Sequence, residues 1–250
     1  MNKQDSRRVG LFDEIRGFAI ICMVVYHAMF DLKNLYGFDV PIFFEDWFDI
    51  IRDIFAGMFI FISGAVCNYS RSNIKRGVQC FFLGMLMTFV TAFAAPDFPI
   101  LFGILHFLGI CMIIYGLAED FFSGIPPFIG IILFGLLFAA TFQLPSGFLG
   151  INGVFSWAVP GTVYDAGLLF PLGFSEPGFV SGDYFPLLPW SFLFFAGSSF
   201  GVIAAGNQLP QSFYRTRVRF FAATGRYTIW VYLLHQPLIM LLFTLLFGKS

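Results

Sequence analysis

The stretch IRGFAIICMVVYHAMFDL, residues 15–32, is an apolar run long enough to cross a lipid bilayer as a helix. It follows a polar N-terminus and has no small-residue cleavage site, so we expect a retained span and not a signal peptide. Of the 250 residues, 58% are hydrophobic and 12% are charged, whereas a soluble domain carries about 25% charged residues. This composition excludes a soluble globular protein, and the net charge of −1 indicates no surface for nucleic acid. We therefore predict an all-α, polytopic bundle of transmembrane helices.

Seven apolar stretches have the length of a span, and we treat residues 1–250 as a single membrane domain. The predicted spans cover residues 11–32, 49–69, 77–95, 100–118, 125–144, 187–205 and 227–247. Residues 145–186 are apolar but rich in Gly and Pro. A full span there would place the four-arginine segment near residues 215–226 outside, so we predict short or re-entrant helices instead.

The basic residues predict the orientation of the chain. With a cytoplasmic N-terminus, 11 of the 14 basic residues fall on the inner side, and only Lys33, Arg52 and Lys249 fall outside. We therefore expect a multi-pass protein of a bacterial plasma membrane, with its N-terminus in the cytoplasm and its C-terminus outside.

The first span carries ionisable side chains that are expensive in a membrane and usually face a polar cavity. Arg16 and His27 are eleven positions apart, which places them about 20° apart around a helix and about 16 Å apart along it. Asp13 and Asp31 lie on the same stripe, next to Arg16 and His27 respectively. A structural alternative remains open, in which Asp13 and Arg16 anchor the inner end and Asp31 holds an interfacial histidine.

The other two histidines, His106 and His235, also fall inside predicted spans. Each could be a hydrogen-bonded packing residue, but three such histidines together favour a functional site. Four further candidates line the predicted outer mouth: Asp49, Asp53, Asp183 and Trp190. Acidic and aromatic groups there suit a polar acceptor such as an amino sugar, while an aromatic belt with solvated charges is the structural alternative.

Arg16-Gly17, followed by His27 after a gap of about ten residues, resembles the first-span motif of the acyltransferase-three proteins. Five segments in this order resemble more closely the catalytic-domain family of heparan-alpha-glucosaminide N-acetyltransferase. They are residues 11–17, 59–64, 104–106, 183–190 and 232–235. The resemblance implies transfer of an acyl group, usually acetyl, from cytoplasmic coenzyme A to an acceptor on the other membrane face. It places Arg16 at the donor end. The lysosomal enzymes of the family carry a key histidine after the first span, but residues 31–49 contain none here, so the acyltransferase-three pattern gives the reacting end to His27.

We predict a membrane acyltransferase that uses acetyl-CoA or another acyl-CoA and acylates an amine or hydroxyl of a sugar or glycan. His27 would act as the general base, Asp31 would orient it, and His106 would bind the acceptor or polarise the thioester carbonyl. The predicted substrate-binding residues are Asp13, Arg16, His235, Asp49, Asp53, Asp183 and Trp190. We expect no metal ion, and a homo-oligomer is possible. A transporter or flippase that uses the same polar cavity is the alternative function.

Overall fold

The computed structural model describes residues 7–41, 46–151 and 153–248. The chain divides into two compact units. The central unit contains residues 63–207, and the terminal unit contains residues 7–62 together with residues 208–250. Whether they form the single membrane domain expected from the sequence stays a prediction.

Helices dominate both units, as the sequence predicts. The helices are α1 (Gly10–Asn34), α2 (Asp46–Val66), α3 (Asn73–Ala94), α4 (Ile104–Leu117), α5 (Glu119–Gly124), α6 (Pro127–Thr141), α7 (Leu187–Ala205), α8 (Gln211–Tyr214), α9 (Arg219–Arg226) and α10 (Thr228–Phe247). Among the described residues, six helices are long and apolar enough to span a membrane: α1, α2, α3, α6, α7 and α10, with α2 and α6 extended by short 3-10 turns. The polytopic all-α prediction is confirmed.

The fourth predicted span is shorter than expected, because α4 has 14 residues. Its length is about 21 Å, against about 30 Å for the hydrocarbon core of a bilayer. The residues before it are extended: Phe102 forms a parallel β-bridge with Tyr184, and the Gly182 amide donates to the Pro99 carbonyl at 3.1 Å. The Phe102 carbonyl also accepts a hydrogen bond from the Phe185 amide at 3.0 Å, so these residues continue as extended backbone and α4 begins at Ile104.

The region 145–186 forms short 3-10 helices, as predicted, and a β-hairpin that the sequence analysis did not predict. The 3-10 helices include Gly161–Ala166 and Phe170–Leu172. Strands β1 (Phe148–Ile151) and β2 (Phe155–Ala158) are antiparallel. Gly153 in the connecting turn has a φ of 80°, which glycine adopts readily.

Two glycines allow α1 and α9 to pack backbone against backbone in the terminal unit. A Cβ atom on Gly17 would collide with the Phe221 carbonyl, and a Cβ atom on Gly225 would collide with the Asp13 carbonyl. The short helix α9 therefore lies directly against the start of α1.

Helices α1 and α10 run in the same direction. Near its start, α1 reaches α10 through a hydrogen bond from Arg16 Nη2 to Thr228 Oγ1 at 2.7 Å. Just beyond the end of α1, the Tyr36 hydroxyl lies 3.1 Å from Thr244 Oγ1, near the end of α10. This parallel arrangement places their polar residues at matching levels.

Candidate functional site

Two of the three histidines meet in the terminal unit. The ring centroids of His27 on α1 and His235 on α10 lie 5.1 Å apart, with an interplanar angle of 51°. His235 is buried and His27 is half-buried. The structure therefore brings together two residues that the sequence predicted for the site, one as the base and one as a substrate contact.

The protonation of His235 follows from its hydrogen bond. Its Nδ1 atom lies 2.5 Å from the carbonyl oxygen of Tyr232. A carbonyl oxygen can only accept a hydrogen bond, so Nδ1 carries the proton. In the neutral ring, Nε2 is then the basic nitrogen.

Asp31 lies one turn beyond His27 and is almost fully buried, with 2% of its surface exposed. Its Oδ2 atom accepts a hydrogen bond of 2.7 Å from Nε2 of Gln236 on α10. No hydrogen bond joins Asp31 to His27 in the part of the chain that the structure describes, so the contact expected within α1 is replaced by one to α10. The sequence analysis missed Gln236, although an amide next to a histidine in an apolar span was a signal.

Arg16 lies at the opposite end of the same α1 stripe. Besides its hydrogen bond to Thr228, its guanidinium carbon lies 5.9 Å from the centre of the Phe59 ring on α2. The side chain is thereby held between α1, α2 and α10 in the terminal unit.

Asp13 pairs with different arginines from the one that the sequence predicted. Arg8 donates from Nε and Nη2 to the two carboxylate oxygens at 2.7 and 3.0 Å, and Arg226 Nε lies 3.8 Å from Oδ2. The hydrogen bond to Asp13 raises the pKa of Arg8. Arg16 instead donates a hydrogen bond to Thr228 on α10. Asp13 therefore anchors the segment before α1 through Arg8, and the end of α9 through Arg226.

Glu14 is a further anchor that the sequence analysis missed. The buried carboxylate accepts hydrogen bonds from the backbone amides of Arg217 and of Val218, the latter at 2.9 Å, just before α9. Several arginines of this end of the terminal unit are exposed: Arg7, Arg8, Arg215, Arg217, Arg219 and Arg226. Together they present a cationic surface next to the start of α1.

The acidic residues predicted at the outer mouth on α2 are partly neutralised by an arginine. Arg52 donates to Asp49 Oδ1 at 2.8 Å and to Asp53 Oδ1 at 3.0 Å. It also lies 3.4 Å from the hydroxyl of Tyr26, the residue before His27. The group is therefore a polar network with a net charge of −1 and not two free carboxylates.

His106 lies in the central unit, at the start of α4. Its Nδ1 accepts a hydrogen bond from the Gly103 amide at 3.2 Å, and its Nε2 lies 3.3 Å from Thr88 Oγ1. Because the Thr88 hydroxyl donates to the Ile100 carbonyl at 2.6 Å, it accepts from His106, whose ring is neutral with the proton on Nε2. Both ring nitrogens thus serve the local fold.

Asp183 and Trp190 also lie in the central unit. Asp183 Oδ2 accepts a hydrogen bond from the Ile104 amide at 2.9 Å, which satisfies a free amide at the start of α4. Trp190 is buried against three aromatic rings, those of Phe138, Phe142 and Phe185. Asp183 and His106 thus both lie at the start of α4, and Trp190 packs among aromatic side chains.

A family described as heparan-alpha-glucosaminide N-acetyltransferase, catalytic, matches residues 8–237. The chain belongs to this family. The matched range contains Arg16, the three histidines and Gln236. Comparisons with curated proteins and with solved structures find no match.

Membership in the heparan-alpha-glucosaminide N-acetyltransferase catalytic family confirms the resemblance seen in the sequence and indicates a membrane-bound acetyltransferase domain. With six span-length helices, the chain is an integral membrane protein of the transferase class. Among the described residues, no group of three or more His, Cys, Asp or Glu side chains is placed to hold a metal ion. The expected independence from metal stays a prediction.

Proposed function

We propose that this protein moves an acetyl or short acyl group from cytoplasmic acyl-CoA to an amine or hydroxyl of an extracytoplasmic sugar or glycan. One observation carries the proposal: His235 on α10 contacts His27, which lies on the same stripe of α1 as Arg16. The two histidines suit the thioester end of an acyl-CoA substrate. The Arg16 guanidinium, about 16 Å away along α1, suits its phosphate-bearing end.

Arg16 and the exposed arginines beside α9 form the donor end in this proposal. A guanidinium binds phosphate through two parallel hydrogen bonds, which a lysine ammonium cannot reproduce. The phosphates of acyl-CoA would meet this cationic surface, and its pantetheine arm would extend along α1 toward His27. Asp13 supports the donor end by anchoring Arg8 and Arg226 beside the start of α1.

His27 acts as the general base. It takes the proton from the acceptor amine or hydroxyl as that group attacks the thioester carbonyl. The bond from carbonyl carbon to sulfur then breaks, and the leaving thiolate takes the proton back from the His27 imidazolium, which restores the base. Asp31 lies on the same face of α1 and favours the imidazolium by its charge. His235, whose Nε2 is basic, contacts the acceptor beside His27.

Acceptor binding extends from this pair toward the polar network of α2. Asp49 and Asp53, held by Arg52, would accept hydrogen bonds from acceptor hydroxyl or amino groups. His106, Asp183 and Trp190 make structural contacts in the central unit. Their roles in acceptor binding or catalysis stay predictions.

The parallel course of α1 and α10 supports the proposed topology. Two parallel helices that both cross a membrane cross it in the same direction, so the chain between the end of α1 and the start of α10 must cross the membrane an odd number of times. The N-terminus before α1 and the C-terminus after α10 then lie on opposite faces. The six span-length helices make an even number, so this topology needs one further crossing, which we assign to the shorter helix α4 together with the extended residues before it.

The test uses purified protein in sealed vesicles with acetyl-CoA outside and a panel of amino sugars inside. Mass spectrometry should detect acetylated sugar in the lumen and free coenzyme A outside. Sugar that crosses the membrane unmodified would instead support the transporter or flippase. Neither chemistry nor transport would contradict both functions.

A further inference from the structure

The side chain of Gln236 has one end anchored and the other end without a partner. Its Nε2 atom donates to Asp31 at 2.7 Å. Its Oε1 atom is buried, and no donor among the described residues reaches it. Because a buried acceptor without a hydrogen bond is costly, such an atom marks a place where a ligand or water supplies the missing donor.

The orientation of this amide is determined by its neighbour. An ionised carboxylate has only acceptor oxygens, so the NH₂ group of Gln236 must face Asp31 and the carbonyl oxygen must face away. Rotating the amide would place two acceptors against each other and would lose the hydrogen bond. The unpartnered Oε1 is therefore a consequence of the Asp31 contact.

The position of Gln236 connects this oxygen to the proposed chemistry. Gln236 follows His235, whose ring contacts that of His27, and its partner Asp31 lies one turn beyond His27. An acceptor whose nucleophile lies at the two histidines carries N–H or O–H donors in this neighbourhood. A water molecule that donates to Oε1 before the acceptor binds would be displaced by such an N–H or O–H group.

We propose that Gln236 is an acceptor-binding residue: Oε1 accepts a hydrogen bond from an N–H or O–H group of the acceptor, while Nε2 remains on Asp31. This inference rests on the proposed acyl transfer and adds a residue to it. The anchored amide acts as a fixed acceptor, so it contributes to binding and orientation of the acceptor and not to proton transfer.

The experiment compares Gln236→Leu with a variant that exchanges the partners, Asp31→Asn combined with Gln236→Glu. The leucine removes the hydrogen bond to Asp31 and the proposed one to the acceptor. In the exchanged pair, the asparagine amide donates to the new carboxylate, which still offers an outward oxygen at the same net charge. Gln79→Leu on α3, at an exposed helix position, is the matched control for the substitution itself.

Steady-state kinetics with acetyl-CoA and glucosamine give the decisive readout. Gln236→Leu should raise the KM for glucosamine by about tenfold or more, while the KM for acetyl-CoA stays at the wild-type value. The exchanged pair should recover most of the loss. An unchanged glucosamine KM in a folded Gln236→Leu protein would overturn the proposal and leave Gln236 as an anchor for Asp31.

Direct binding separates this inference from the proposed function. If the wild type transfers no acetyl group, the proposed function fails, and the rise in Tm caused by glucosamine alone decides the role of Gln236. A rise in the wild type and in the exchanged pair, but not in Gln236→Leu, supports the acceptor site. Equal rises in all three, or none in any, overturn it.

Discussion

The rings of His27 and His235 are in contact, at 5.1 Å between centroids, although the two residues belong to the first and the last long helix of the chain. Their contact follows from the parallel packing of α1 and α10. The arrangement makes the site dependent on both helices and gives each residue a testable role.

Replacement of His27 tests the proposed base. His27→Ala should lower kcat by at least about a hundredfold, the lower bound for a positioned general base, while the KM for acetyl-CoA stays near the wild-type value. The pH dependence that titration of the base gives the wild-type rate should vanish in the variant. Asp31→Asn should lose less, since Asp31 acts through its charge.

His106→Ala is the comparison for His27. Because His106 accepts from the Gly103 amide and donates to Thr88, its loss should destabilise the fold by about 1–3 kcal/mol and lower the Tm in detergent. Turnover that disappears in folded His106→Ala protein but persists in His27→Ala would transfer the role of base to His106.

Arg16 tests the donor end. Arg16→Ala should raise the KM for acyl-CoA, and Arg16→Lys should restore it only in part, because lysine lacks the paired donors of the guanidinium. The acceptor KM serves as the internal control and should not change. Donor saturation like that of the wild type in Arg16→Ala would reassign Arg16 to helix packing with Thr228.

Gly17 tests the packing of α1 on α9. Gly17→Ala places a methyl group against the Phe221 carbonyl and should destabilise the protein by about 1–3 kcal/mol, measured by thermal unfolding. Gly135→Ala on α6 is the matched control, because a Cβ atom there meets no atom within 4 Å. Equal Tm values for the two variants would contradict the packing described for Gly17.

The topology is tested by tags at the two termini. Protease or labelling reagents applied to intact cells should reach the C-terminal tag and not the N-terminal tag. Tags protected equally would show an even number of crossings and would remove the scheme in which donor and acceptor bind on opposite faces.

Much of the helical architecture follows from hydropathy. The predicted span 187–205 coincides with α7, and the other long helices lie within a few residues of their predicted bounds. Hydropathy does not report hydrogen bonds between distant segments, so it extended α4 into residues that pair with Tyr184. It also gave no sign of the β-hairpin, whose short strands lie in a Gly- and Pro-rich stretch.

The candidate site was predictable in its members but not in its pairings. Helical periodicity places Arg16 and His27 on one face, yet it cannot say which helix that face meets. The partners of Asp13 and Asp31 therefore came out differently: Arg8 lies before the helix, and Gln236 lies on α10. His106 looked equivalent to His27 in sequence because its hydrogen bonds to Gly103 and Thr88 depend on the fold around α4.

The meeting of the first and last long helices has a consequence for biosynthesis. Arg16 and His27 on α1 are translated about 200 residues before His235 and Gln236 on α10. A nascent or truncated chain thus lacks the second histidine and the partner of Asp31. On the proposed mechanism, thioester chemistry begins only after α10 has been inserted, so incomplete chains do not consume acyl-CoA.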